Sequence, residues 1–381
     1  MELLKDKADC CGCRTCEKVC PQNAITMIED EGGFLYPHID EKKCVDCGLC
    51  LKKCAFQSGY PKRKEFQPYY AYGCRHKKEH VYKKSRSGGA FVAISSRILE
   101  KKGIVFGVGY EEGSRFRRII HKSAETKHDR NEFCGSKYVQ SDLGDTFLSV
   151  KENLKAGRKV LFSGTGCQIG ALHSYLGKEY SDLYTIDIIC HSTPSPQIWK
   201  DFLDLREKEL GGEVTALNFR NKNRFGWKAH RETLTVNGKS KSSRIFAALF
   251  SKSVMSRPSC FKCAYTNKNR PGDITIADFW GHEKAIPGKW DDDKGISLVL
   301  INTYRGQLLW EEAKKDLEWI DVTGYPFRHH NLKHPTKYPE IYEEFWKDYK
   351  ENGFEYCIEK YTKHKITFPD DEEANKSEDS K

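Results

Sequence analysis

Residues 10–21 read CCGCRTCEKVCP and residues 44–55 read CVDCGLCLKKCA. Each stretch sets four cysteines at the spacing C-x2-C-x2-C-x3-C: Cys10, Cys13, Cys16 and Cys20, then Cys44, Cys47, Cys50 and Cys54. Three cysteines two residues apart let a short loop wrap three corners of one 4Fe-4S cubane, while the fourth, carried away by a helical turn, reaches the other cubane. The first cluster then takes Cys10, Cys13, Cys16 and Cys54, and the second takes Cys44, Cys47, Cys50 and Cys20. Zinc also accepts C-x2-C pairs, but seldom four cysteines in one eleven-residue run, twice over. Radical SAM chemistry would need C-x3-C-x2-C, and Asn23 and Gln57 stand where its third cysteine belongs. Cys11, beside a ligand, reads as a spare thiol.

Between the repeats, Ala24 to Ile28 and Phe34 to Pro37 flank a Glu-Gly-Gly turn and predict a β-hairpin covering the clusters. With CP-x-x-AI at Cys20 to Ile25 and CGLC at Cys47 to Cys50, residues 9–57 resemble the bacterial two-cluster ferredoxins. That resemblance implies an α+β ferredoxin-like N-terminal domain over residues 1–57. Ala55 departs from it, standing where a proline usually follows the last cysteine.

The whole chain has 381 residues, enough for more than one core. Its N-terminus, MELLKDKADC, lacks the apolar stretch of a secretory signal, and no apolar run approaches the ~20 residues of a membrane span. A cytoplasmic protein is expected. Sixteen cysteines in a reducing compartment point to metal or redox work rather than disulfides. The formal charge of +10 counts those cysteines as neutral, whereas a cubane with four thiolates carries roughly −2. The basic excess therefore argues for neither nucleic acid nor an anionic membrane.

Residues 58–68, SGYPKRKEFQP, read as a linker, and the acidic residues 367–381 as a disordered tail. In the domain between, 69–366, β-rich runs (104–110, 159–163, 184–190, 273–279, 296–301) alternate with helical patterns (90–101, 147–155, 196–210, 307–315), which predicts a larger α/β domain. A late aromatic helix is expected over 339–349. Three stretches have the character of phosphate cradles: Ser87-Gly88-Gly89 before a helix, Gly164-Thr165 with Gln168 between strand and helix, and Ser136-Lys137 with Gln140. Ordinary turns look the same. Cys167 and Cys190 fall at predicted strand ends and Cys260-x-x-Cys263 precedes another strand, so four thiols could meet in one crevice of an open sheet. Core cysteines beside a zinc or dithiol C-x-x-C would also fit.

The segments SGGAF (87–91), GSKYVQSDLG (135–144), LFSGTGCQIGAL (161–172), DIICHSTPSP (187–196), SCFKC (259–263) and GDITIADFWG (272–281) resemble the coenzyme F-420 hydrogenase/dehydrogenase beta-subunit family, in family order. The resemblance implies a flavin, usually FAD, and a third 4Fe-4S cluster on Cys167, Cys190, Cys260 and Cys263. Two departures affect the flavin: Gly166 replaces a usual proline, which would free the loop, and Cys134 replaces a usual arginine.

Asn218 to Arg231, NFRNKNRFGWKAHR, interleaves cations with aromatics. A solvated hairpin and a nucleic-acid patch both have this composition. The family has a similar run, which implies Arg220, Lys222 and Trp227 on the flavin or substrate side, and a nucleic-acid partner is not expected. His191, after a proposed ligand, is a candidate proton donor. The combined expectation is an iron-sulfur flavoprotein oxidoreductase, moving single electrons between a redox partner protein and a flavin that acts on a small-molecule substrate, coenzyme F-420 or another metabolite. A non-catalytic electron-transfer subunit is the alternative.

Overall fold

The computed structural model describes residues 3–57, 70–327 and 329–367. The expected linker and nearly all of the expected tail lie outside the described residues.

In the N-terminal segment, β1 (Ile25–Glu29) and β2 (Leu35–Ile39) pair antiparallel, with Ile25 opposite Ile39. Each cysteine run feeds one short helix, Thr15–Val19 or Leu49–Lys52, entered through a residue with positive φ, Arg14 or Gly48. The apolar core here is small: Leu3, Ile25 and Cys50 are buried with Leu4, Ile39 and Leu51 against them. A core this thin gains much from bound metal or from docking.

The larger domain is built on an eight-stranded mixed sheet. Its strands are β3 (Tyr70–His76), β4 (Ile104–Tyr110), β5 (Ile119–Ala124), β6 (Val160–Thr165), β7 (Leu183–Ile188), β11 (Ile274–Asp278), β12 (Ser297–Ile301) and β13 (Leu317–Asp321), in the spatial order β13-β3-β12-β11-β7-β6-β4-β5. The four central strands β4, β6, β7 and β11 are parallel. The flanking strands run antiparallel. Side chains alternate between the faces, as a pleat requires: Leu161 packs with the helices Ala90–Glu100 and Tyr304–Ala313, while Val160 and Phe162 pack with Thr146–Lys155 and Gly166–Leu176. A three-stranded antiparallel sheet, β8 (Val214–Asn218), β9 (Glu232–Val236) and β10 (Lys239–Ser243), forms a second core with the helices Pro196–Leu210 and Ile245–Lys252.

The α/β expectation thus holds in the coarse form of a mixed sheet. Strands β3, β5, β13 and the small sheet were not anticipated. Several are short and polar, and β10 reads KSKSS, with no apolar alternation. The late helix runs Tyr342–Thr362, broken at Gly353, where φ is 81°.

Candidate functional site

Four thiols of the N-terminal segment face one another. Burial holds Cys10, Cys16 and Cys54 above the usual thiol range, and each is also raised by the charge of neighbours within the set Cys10, Cys13, Cys16 and Cys54. Cys50 is raised by burial and then by Cys47 and Cys20. Cys54 thus lies near both Cys13 of the first run and Cys50 of its own. Backbone N–H groups already point at the sulfurs, Gly12 to Cys10 Sγ and Ala24 to Cys20 Sγ, both at 3.3 Å. Such bonds hold and tune a thiolate cluster.

Cys167, Cys190, Cys260 and Cys263 line one cavity, together with Cys11, Phe56, Thr193, Tyr265 and Arg270. The helix Gly166–Leu176 starts here because the Thr165 N–H donates to Gln168 Oε1 at 2.9 Å, one arm of a capping box. Thr165 Oγ1 lies 3.1 Å from Cys167 Sγ, and the Thr193 N–H donates to Cys260 Sγ at 3.3 Å. Arg270, 2% exposed, is held by the fully buried Asp187 at 2.8 Å. Among the described residues no three Cys, His, Asp or Glu side chains close on one point as a single ion would need. Cubane ligands bind four separate irons and stand wider. The donor set fits a cubane.

Gly166 corrects the expectation of a freer loop. It is the first residue of that helix, and a side chain there would come within 3.0 Å of Tyr265 Cβ and 3.4 Å of Arg270 Nη2. Cys11 is likewise more than a spare thiol. It lines the same cavity as Cys167, and its proximity draws the Cys13 and Cys167 thiols below the usual range. The cavity of the large domain and the first cysteine set of the small one are therefore back to back.

The expected phosphate stretches separate into two places. Gln140, expected with the flavin residues, is at the cysteine cavity, where its Nε2 donates to Cys11 O at 3.0 Å and its Oε1 accepts from Arg257 Nη1 at 3.0 Å. Gly164, Thr165 and Gln168 belong to the same neighbourhood. Ser87, Lys137, Arg220, Lys222 and Trp227 gather instead around Arg86 and Asp278. Arg220 pairs with Asp278 at 2.6 Å, and the Trp227 indole donates to Asp278 at 2.8 Å while stacking on Trp280 at 4.5 Å. Lys222 Nζ donates to Ser87 O at 2.8 Å and Lys294 O at 2.7 Å. Lys137 Nζ donates to Glu132 O at 2.6 Å. Burial pulls Lys137 down to about 8, and burial with the Arg86 charge pulls Lys222 down to about 7. Phe219, Arg220, Lys222 and Trp227 of the NFRNKNRFGWKAHR run are thus buried, as they would be in neither a solvated hairpin nor a nucleic-acid face.

Arg86 Nε and Arg220 Nε are buried there without a hydrogen-bond partner. Cations outnumber Asp278, so the group fits an anionic moiety such as a flavin phosphate. Gly88 and Gly89 act locally: a side chain at Gly88 would strike the backbone of Cys74 and Ser297, and Gly89, at φ 92°, opens the helix Ala90–Glu100. Ser136 is half-buried in the same loop as Lys137. His191 lines the cysteine cavity, its Nε2 3.0 Å from Ser253 Oγ and its Nδ1 3.4 Å from Thr336 Oγ1, and burial lowers its pKa.

Arg257, Arg270 and Asp278 were missed as site residues. Asp278 and the neighbouring Trp280 lie inside a quoted motif, but no local pattern marks Arg257.

Comparison with known proteins divides the chain in the same way. Residues 157–323 match the family described as the C terminus of the coenzyme F420 hydrogenase/dehydrogenase beta subunit, and residues 9–58 match the 4Fe-4S dicluster domain. An uncharacterized ferredoxin of Methanocaldococcus jannaschii is 33% identical over 54 residues, 14% of this chain and 69% of that protein. The B component of an ion-translocating oxidoreductase complex of Methanosarcina acetivorans is 47% identical over 45 residues, 12% of this chain and 15% of that protein. A solved structure of the F420-reducing NiFe hydrogenase complex from Methanosarcina barkeri aligns with a TM-score of 0.48 and 19% identity, over 75% of this chain and 92% of that one. No helix among the described residues is long and apolar enough to cross a membrane. Residues 157–323 thus carry the C-terminal region of a coenzyme F420 hydrogenase/dehydrogenase beta subunit, and residues 9–58 a 4Fe-4S dicluster domain, the combination of an iron-sulfur oxidoreductase.

Proposed function

We propose that this protein is a cytoplasmic iron-sulfur flavoprotein oxidoreductase that links a single-electron partner protein to an organic substrate, coenzyme F-420 or another metabolite. The groups concerned supply one-electron transfer at the cubanes and exchange between one- and two-electron steps at a flavin.

One observation carries the reading: Cys11, from the first cysteine run, lines the cavity of Cys167, Cys190, Cys260 and Cys263, so two cysteine sets from different domains share a wall. At the other end of the small domain, Cys47 is exposed and Val45 is 62% exposed, which presents the second set to a partner. In the large domain, Arg86, Lys137, Arg220 and Lys222 would hold the flavin phosphate, and Trp227 would order that pocket through Asp278. His191 would give or take the substrate proton beside the cavity.

A second reading has support of its own. Lys222 and Arg220 already spend donors on Ser87 O, Lys294 O and Asp278, as a domain serving only as an electron-transfer subunit would arrange them. Purification without oxygen followed by iron and flavin counts separates the two. About 12 irons and one flavin per chain support the enzyme. About 12 irons without flavin favour the electron-transfer subunit, and about 8 irons would remove the third cluster from the account.

A further inference from the structure

Arg257 is fully buried, at 0% exposure, and among the described residues no carboxylate pairs with it. Each of its nitrogens donates to a neutral acceptor: Nε to Cys10 O at 2.7 Å, Nη1 to Gln140 Oε1 at 3.0 Å and Nη2 to Leu35 O at 2.9 Å. The guanidinium lies 4.2 Å from the centre of the Tyr36 ring and 5.3 Å from that of Phe34. Arg270, 2% exposed in the lining of the cysteine cavity, has Asp187. A buried guanidinium stays charged, and the loss of its hydration is costly unless an anion answers it. Cation–π contact with these two rings offsets only part of that loss.

Among the described residues no carboxylate answers it, and the clusters that the two cysteine sets would hold are anionic. Arg257 leaves the main chain three residues before Cys260, on the turn Pro258–Lys262. Its head ends on the carbonyl of Cys10, in the loop of the N-terminal domain. The side chain therefore reaches from one ligand set to the other. The chain is also shaped to receive it: Gly12 has φ 71°, and a Cβ there would come within 2.9 Å of Arg257 Nη1.

We propose that Arg257 is the shared countercharge of two cubanes, the one on Cys10, Cys13, Cys16 and Cys54 and the one on Cys167, Cys190, Cys260 and Cys263. The proposal rests on the iron-sulfur reading of both sets. A fixed positive charge favours the reduced, more negative state of each cluster, and between two clusters it lessens the penalty that an electron on one imposes on the other. Arg257 is a positioning and potential-setting residue; it ligates no iron.

The test uses the full chain purified without oxygen, with iron counted first and reduction then followed by potentiometric titration with electron paramagnetic resonance. In Arg257→Gln, with parental iron, the reduction equilibria of the two adjacent clusters are expected to fall at least tenfold, about 59 mV for one electron. The cluster on Cys44, Cys47, Cys50 and Cys20 is expected to keep its potential. Arg257→Lys keeps the charge and is expected to hold all potentials near the parent's. Unchanged potentials in Arg257→Gln, or equal shifts in the two variants, overturn the proposal. If Arg257→Gln loses iron, Arg257→Lys decides: parental iron and potentials support the countercharge, whereas the same loss assigns Arg257 to the fold alone and overturns it. A parent chain with about 8 irons sinks the third cluster itself, a result visible before any variant is made.

Discussion

Arg14 and Asp142 form a two-pronged ion pair between the domains, Nε to Oδ1 at 2.5 Å and Nη2 to Oδ2 at 2.9 Å. Arg14 sits inside the first cysteine run, so the pair fixes the loop that carries Cys13 and Cys16 against the large domain. Arg14→Ala is expected to cost about 1–3 kcal/mol, because it leaves a mostly buried carboxylate with only the Gly144 N–H and the more distant Arg118, at 3.6 Å. Urea unfolding, with hydrogen exchange across residues 10–20, measures it, and unchanged protection in that loop would contradict it.

The same pair sets an acid limit. Burial pushes the Asp142 carboxyl up, but the Arg14 fork and the Gly144 N–H outweigh burial and leave its pKa below the usual range. A carboxyl lowered on folding contributes stability that is complete above its unfolded pKa of about 3.9 and is lost as pH falls through the lower folded value. Docking is therefore expected to weaken below about pH 4, and Asp142→Asn should flatten that dependence. Exchange protection of the loop across an acid series reads it.

Gly12 cannot be replaced without cost. A non-glycine residue at its φ of 71° is strained by about 1–2 kcal/mol, and the new Cβ would crowd Gln140 Nε2 at 2.7 Å and Arg257 Nη1 at 2.9 Å. Gly12→Ala is expected to retain the second N-terminal cluster and to lower iron in the sets on either side of Arg257. Iron per chain and the visible spectrum decide.

Cys167→Ala or Cys260→Ala is expected to take iron from about 12 to about 8 per chain, with the N-terminal sets intact. Cys11→Ser is expected to keep full iron and to slow intramolecular electron transfer. A Cys11→Ser protein that loses four irons would make Cys11 a ligand.

Lys137 and Lys222 would give the proposed flavin-phosphate site a pH signature. Their pKa values, held down to about 8 and about 7 chiefly by burial, rise again when an anion binds beside them, so binding takes up protons. Flavin retention is expected to fall by up to about tenfold per pH unit for each lysine above these values. Without ligand the sign reverses: folded pKa values below the unfolded ones make the chain more stable as pH rises from about 7 toward 10. Flavin release and thermal unfolding over pH 6.5–9.5 test both halves.

The cysteine spacing by itself made the N-terminal 4Fe-4S dicluster domain legible, and it is the sole source of the proposed crossing of Cys20 and Cys54, because three ligands in one tight loop leave the fourth on the far side of a helical turn. The central strands were equally legible, since a buried parallel strand such as Val160–Thr165 must be almost wholly apolar at its start. Local pattern failed where contacts are long-range. Strand β10 is a strand only because Lys239 to Ser243 pair with Val236 to Glu232, and nothing near Arg257 shows that its guanidinium ends on Cys10. Gln140 and Lys137 are three residues apart, yet one faces the cysteine cavity and the other the charge cluster near Arg86. Cys11 was legible as a thiol and illegible as a link, because only docking of the domains brings it to Cys167. Ligand sets drawn from one loop are written in sequence, whereas the charge and the contacts that join two sets depend on which surfaces meet when the sheet and the small domain pack.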